Sequence, residues 1–329
     1  MLTVPDDPTL DACAAALETV GFAALPVGEG LRGTHARCFA AACAGLDQAR
    51  SAGPDHVLAI SAEADSASAS GLHRAGALSQ YNVCREGLIF SNGAIFDLPP
   101  PADGEPAADH VQFAEEMAAF FASAMALISG VFAALERRLQ LPVGWFEHSL
   151  GPVAQHSQWH VKRYVPEAAP SNAVTTDGKH VLLPVHSDPS LLSLIVHDRD
   201  GTNSGALGLE CNVKGAAGGE WVEVAAHGHS VVTVLCGAVL ERITGGRFVA
   251  ARHRVAVRDP NALGRRVAAT FFFRPAPSAV RFNRSPPLNH PPLSAHPPSF
   301  SPRPPSSVGT AALILPALSS PGLSCVAWL

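Results

Sequence analysis

Paired cysteines are missing from this sequence. The seven that occur, at positions 13, 38, 43, 84, 211, 236 and 325, form no Cys-x-x-Cys pair and no regular spacing. That leaves no zinc ribbon, thioredoxin-like centre or disulfide framework, and reduced thiols in a cytoplasmic protein are the simpler reading. A surplus of positive charge is also lacking. Residues 1–276 carry 20 basic against 28 acidic side chains, so a nucleic-acid backbone is not the expected partner. The opening stretch MLTVPDDPTLDACAAALETV is acidic, without the basic start of a signal peptide or the arginines of a transit peptide, and is expected to be mature structure.

Charge is absent altogether between Met117 and Leu135, nearly the length needed to cross a bilayer. Seven alanines with Ser123, Ser129 and Gly130 make this segment weakly hydrophobic for that purpose, and a buried spine helix is the preferred reading, with no membrane partner. Acidic residues are missing after Pro275, where 12 of the 28 prolines fall. A segment of that composition cannot bury enough apolar surface to offset its ordering entropy, so residues 277–329 are expected to be a disordered tail. Pro316 and Pro321 interrupt its uncharged end and argue against an anchor.

What is present is apolar: 47% of residues are hydrophobic, enough for a large core. Leu10, Cys13, Leu17 and Val20 recur at helical spacing after Asp7 and Pro8, and GFAALPV then reads as a strand behind a glycine cap. A second, Ala-rich helix is expected over 31–50, a small-residue loop over 61–71, and a hairpin turning at Asn92-Gly93. Residues 107–140 carry the longest helical periodicity. From Trp159 onward the texture changes to short β-branched runs, WHVKRYV, HVLLPVH, LLSLIVHD, WVEVAA, SVVTVLC, RFVAARHRVAV and RVAATFFFRP, which predict an antiparallel sandwich or barrel. The organisation expected is an N-terminal region over 1–105, spine helices over 106–154, a β-rich core over 155–276 and the tail over 277–329.

The chemistry lies in that β-rich core. In HSDPSLLSLIVHD, His186 and Asp188 are two apart and share one face of a strand end. Alone this is a weak signal among 15 histidines, and a solvated strand edge is the bland reading. His253 in ARHRVAV supplies a third ligand from another strand, and two histidines with one carboxylate suit non-haem Fe(II), leaving positions open for dioxygen. Thirteen residues further on, Arg266 heads the apolar run RVAATFFFRP, where a buried guanidinium needs an anionic partner such as a dicarboxylate cosubstrate. His227 and His229 sit in a turn-like AAHGHS, the spacing of His156 and His160 has no meaning in a β context, and His197 reads as a strand end.

The order HSDPSLLSL, GEWVEV, VLCGAVLERITGGRF, HRV and RVAATFFFRP resembles the Fe(II)- and 2-oxoglutarate-dependent oxygenases of the isopenicillin N synthase-like group, over about residues 155–276. The resemblance implies a mainly β fold with an N-terminal α/β region, its core a double-stranded β-helix, or jelly roll, supported by the long helix. It places the iron triad on His186, Asp188 and His253 and the 2-oxoglutarate-binding arginine on Arg266. Two departures stand out. The family's Arg-x-Ser is here Arg266-Val267-Ala268, and its Asn-Tyr-Tyr-Pro is Arg163-Tyr164-Val165-Pro166. Tyr164 and Arg163 are therefore candidates for a hydroxyl and a second cationic contact to the cosubstrate.

The activity implied is an oxidoreductase: a 2-oxoglutarate-dependent dioxygenase that hydroxylates or desaturates a small organic substrate, using O2 and releasing succinate and CO2. Its cofactors would be Fe(II) and 2-oxoglutarate, with ascorbate as an auxiliary reductant, and it would act as a monomer. The SQYNVCREGLIFSNG stretch is expected to contribute to the substrate pocket. An iron oxidase of the same fold that does not use 2-oxoglutarate, and a catalytically silent β-barrel binding protein, are the alternatives.

Overall fold

Asp7 caps the first helix, α1 (Pro8–Val20), its carboxylate accepting the Thr9 amide at 2.8 Å. Gly21 ends that helix in the left-handed region at φ 87°, and a Cβ there would stand 2.8 Å from the Val249 carbonyl oxygen. The chain turns at once into β1 (Phe22–Pro26). The computed structural model describes residues 7–27, 29–53, 56–60, 69–76, 81, 83–99, 112–165, 174–197, 208–213, 219–224, 231–258 and 266–281.

After α2 (Glu29–Ser51), strands β2 (Gly71–His73) and β3 (Arg85–Ser91) precede α3 (Phe113–Leu139), one unbroken helix. It buries Met117, Phe120, Ala124, Ile128, Val131 and Leu135, the three- and four-residue stripe of a core-facing helix. Among the described residues α3 is the one helix long and apolar enough to cross a bilayer. Here its stripe packs with α1 and α2 and joins the core formed by Phe90, Trp159 and Phe271. Short helices α4 (Trp145–Leu150) and α5 (Val153–His156) lead into the β-rich half.

That half supplies β4 (Gln158–Tyr164), β5 (His180–His186), β6 (Leu192–His197), β7 (Leu209–Asn212), β8 (Trp221–Glu223) and β9 (Val231–Cys236). Helix α6 (Ala238–Ile243), β10 (His253–Val257), β11 (Val267–Phe273) and α7 (Pro277–Arg281) follow. Paired antiparallel, the strands form a seven-stranded sheet in the order β1-β9-β6-β11-β4-β3-β2 and a four-stranded sheet in the order β5-β10-β7-β8. The larger sheet buries one face against the helices. A smaller apolar cluster that includes Leu182, Leu183, Ile195, Leu209 and Val255 joins residues of both sheets.

Several expectations need correction. Asn92 and Gly93 do turn with positive φ, but among the described residues the chain then runs on without a returning strand, and β3 pairs instead with β2 and β4. A turn dipeptide sets the local bend, whereas strand pairing is decided by which edge is free. The run RFVAARHRVAV is extended as a strand only from His253, and both β7 and α6 are absent from the sequence reading. The tail does not begin at 277: Ala276 donates to the Leu150 carbonyl at 2.6 Å, and α7 carries Ala279 against the main core. Residues 282–329, most of the 61–71 loop, and His227 and His229 lie outside the described residues.

Candidate iron and cosubstrate site

Strand pairing brings the two candidate histidines together. In the β5–β10 ladder His186 and His253 are direct cross-strand partners, and their ring centroids lie 4.2 Å apart. Asp188 follows two residues beyond β5, and its Oδ1 stands 3.5 Å from His186 Nε2 and 3.7 Å from His253 Nε2. One ligating atom from each of the three falls within 4.8 Å of the others. The turn that holds Asp188 is tight. Its carbonyl accepts the Ala238 amide at 2.8 Å, and a Cβ on Gly237 would stand 2.0 Å from the Ser190 carbonyl oxygen, so only glycine allows the close approach.

The hydrogen bonds fix the chemistry these side chains offer. His186 Nδ1 lies 2.9 Å from the Pro184 carbonyl oxygen and His253 Nδ1 3.1 Å from that of Ala251. A carbonyl can only accept, so each Nδ1 carries the proton and each Nε2 turns a lone pair toward Asp188. Burial lowers the His253 imidazole, which favours the neutral form a metal requires, although Asp188 acts in the opposite direction. For Asp188, burial acts to raise the carboxyl, and the neighbouring His253 and His186 side chains outweigh it, holding it well below the usual range. Its Oδ2 is buried with no hydrogen-bond partner among the described residues. Two imidazoles whose Nε2 atoms face a carboxylate with an unsatisfied oxygen are the donor set of a facial metal site, and the residues present fit Fe(II).

Arg266 lies just before β11, 2% exposed, with its guanidinium carbon 4.5 Å from the centroid of the Tyr164 ring. Its Nη2 is 3.4 Å from His197 Nδ1, while Nε and Nη1 are buried without a hydrogen-bond partner among the described residues. A guanidinium held on one side by an aromatic face and open on the other is prepared for a carboxylate. His197, which reads in the sequence as a mere strand end, therefore belongs to the setting of Arg266. It is also the cross-strand partner of Ala268, the position where the resembling family carries a serine.

The triad, Arg266 and Tyr164 line one cavity of about 430 Å³. Arg163 does not line it. Side chains alternate along β4, so Tyr164, Lys162, His160 and Gln158 face the cavity while Arg163, Val161 and Trp159 face the helices. Arg163 pairs there with Glu86, its β3 partner, at 2.7 Å and with Asp47 of α2 at 2.7 Å. The second cationic contact expected of it is thus corrected: it ties α2 to the sheet. Tyr81, from the stretch expected to contribute to the pocket, does line the cavity, with its ring centroid 5.1 Å from that of His186.

Sequence reasoning dismisses His160 and passes over Lys162 on the same face of β4. His160 and Lys162 are both cavity-lining and at least nine-tenths buried. The signal that could have found them is the period of two counted back from Tyr164. With Arg85, Arg266 and Arg274, Lys162 makes four cationic side chains on the lining against the single carboxylate of Asp188.

Residues 157–275 match the family model described as the 2OG-Fe(II) oxygenase superfamily. No curated protein matches the chain significantly. Among solved structures, the dioxygenase for auxin oxidation 1 of Arabidopsis thaliana, in a binary complex with 2-oxoglutarate, is 18% identical with a TM-score of 0.60, over 84% of this chain and 91% of that one. A putative 2OG-Fe(II) oxygenase family protein from Caulobacter crescentus is 19% identical with a TM-score of 0.58, over 81% and 82%. A full-length Neurospora crassa protein in complex with 2-oxoglutarate and 5-formyluracil is 19% identical with a TM-score of 0.57, over 82% and 80%. At these identities the likeness is one of fold. Residues 157–275, which contain the triad, Lys162 and Arg266, are thus the part of the chain that is similar to the 2OG-Fe(II) oxygenase superfamily.

Proposed function

We propose that this protein is a Fe(II)- and 2-oxoglutarate-dependent dioxygenase that hydroxylates or desaturates a small organic molecule, with 2-oxoglutarate leaving as succinate and CO2. The carrying observation is that the His186, Asp188 and His253 ligand set shares one cavity with a buried guanidinium, Arg266, whose Nε and Nη1 lack an acceptor among the described residues. The two sheets would be the halves of a double-stranded β-helix. His186, Asp188 and His253 would hold Fe(II), and Arg266 the distal carboxylate of 2-oxoglutarate, with the Tyr164 ring as its backing.

When bound, the iron and cosubstrate supply the oxidising power. The chain's own contributions are the tautomers set by Pro184 and Ala251, the ionised Asp188, and an apolar stretch of cavity wall. Ile89, Leu183, Ile195 and Leu209 form the apolar part of the lining. Anaerobic titration with Fe(II) and 2-oxoglutarate, followed by a metabolite screen for substrate-stimulated succinate, tests this directly: failure of both cofactors to bind rejects it. Ala268 in place of a hydroxyl favours one second reading, an iron oxidase that does not use 2-oxoglutarate. That reading predicts iron uptake without 2-oxoglutarate binding.

A further inference from the structure

We propose that Lys162 and His160 form the recognition site for a carboxylate on the substrate, so that the molecule oxidised is an organic acid with an apolar body. This rests on the oxygenase reading above and concerns the part of the cavity that iron and cosubstrate leave over.

The position follows from the strand register. Tyr164 stands beside Arg266, Lys162 is paired with Ala268, and His160 with Thr270. On one face of a strand each step of two residues covers about 7 Å. Lys162 is therefore one step, and His160 two steps, from the group that takes the cosubstrate's distal carboxylate. Neither has a hydrogen-bond or ion-pair partner among the described residues. Lys162 forms no hydrogen bond or ion pair among the described residues, and its ammonium lies 5.6 Å from the Phe272 ring centroid. Both ring nitrogens of His160 are buried and lack a hydrogen-bond partner among the described residues, with the ring edge-on to Phe272 at 5.0 Å.

Charge decides what is missing. One Fe(II) against the Asp188 carboxylate leaves a single positive charge, and with Arg266 this matches the two carboxylates of 2-oxoglutarate. Lys162 remains, with Arg85 and Arg274 on the same lining adding positive potential, although the guanidinium of Arg85 also donates to the Tyr81 carbonyl and that of Arg274 to Gln158 Oε1. A buried ammonium without a paired counter-ion is costly, and burial with the nearby Arg85 pushes it toward the neutral amine, against the opposing charge of Asp188. An entering carboxylate removes that penalty, whereas a neutral molecule of the same shape does not. The apolar part of the substrate would contact Phe272, Ile195 and Val255, which line the same space.

The test uses matched acid and amide probes: phenylacetate, benzoate and hexanoate, each against its amide. Binding to the anaerobic protein loaded with Fe(II) and 2-oxoglutarate is followed by calorimetry. At least one acid should bind ten-fold or more tightly than its amide. Lys162→Met should abolish that preference and Lys162→Arg should retain it, while the Kd for 2-oxoglutarate stays within two-fold in both variants. Equal binding of acids and amides, or no binding of either, overturns the proposal. So does a Lys162→Met protein whose 2-oxoglutarate affinity falls instead, since Lys162 would then serve the cosubstrate. If the unaltered protein takes up no 2-oxoglutarate, it is the oxygenase reading that fails, which is a separate result.

Discussion

The two faces of the seven-stranded sheet hold buried arginines in opposite circumstances. On the helix face Arg163, 2% exposed, is met by Glu86 and Asp47, and Glu86 also accepts from Arg50 at 2.8 Å. On the cavity face Arg266 is equally buried, has an aromatic ring behind it, and leaves Nε and Nη1 unmatched. A buried charge that the fold has already neutralised holds structure together. One that the fold leaves unneutralised, beside a cavity, is kept for something that arrives. The same criterion separates Lys162 from Lys179, which is paired with Glu210.

The comparison can be broken first at the triad. His186→Ala or Asp188→Ala should remove stoichiometric Fe(II) from the purified protein and reduce succinate formation to background, as read by metal analysis and product assay. Arg266→Met should come next: loss of a charge-assisted, two-pronged contact of about 2–3 kcal/mol corresponds to 2-oxoglutarate binding weakened roughly 30- to 150-fold. Thermal stability should be unchanged or higher, because an uncompensated buried charge has gone. Arg163→Met should do the reverse. It leaves Glu86 with only the half-exposed Arg50 and should destabilise the fold by about 3 kcal/mol in denaturant titrations while leaving the Kd for 2-oxoglutarate within two-fold. The smallest effect is expected at Ala268→Ser, which restores a hydroxyl near Arg266 and should tighten 2-oxoglutarate by about 1 kcal/mol, roughly five-fold.

Parts of this contrast are legible in the sequence and others are hidden, for physical reasons. His186, Asp188, His253 and Arg266 can be read because each sits at a strand end in a motif with a recognisable order, and the strand runs around them alternate clearly. The expectation for Arg163 fails by one position: in a strand, a slip of one residue moves a side chain to the other face. Whether Arg163 or Tyr164 faces the cavity depends on pairing with β3, which the local pattern does not encode. His197 is hidden because its role arises from lying across the ladder from Ala268, about 70 residues away. Helix α6 is hidden because AVLERI, at six residues, is shorter than the periodicity needed to recognise it.

The alternation along β4 and β11 has a further consequence, for redesign. Positions 158, 160, 162, 270 and 272 touch the cavity, whereas their chain neighbours Trp159, Val161, Ala269 and Phe271 belong to the apolar core behind the sheet. Trp159 stacks on Phe271 at 5.2 Å and on Phe90 at 4.3 Å, so the scaffold's rigidity comes from residues that a combinatorial library over the five cavity positions would never alter. Substrate choice can then be diversified in one strand pair while the fold is inherited intact, and the acid preference assigned to Lys162 becomes a dial that a single codon can turn.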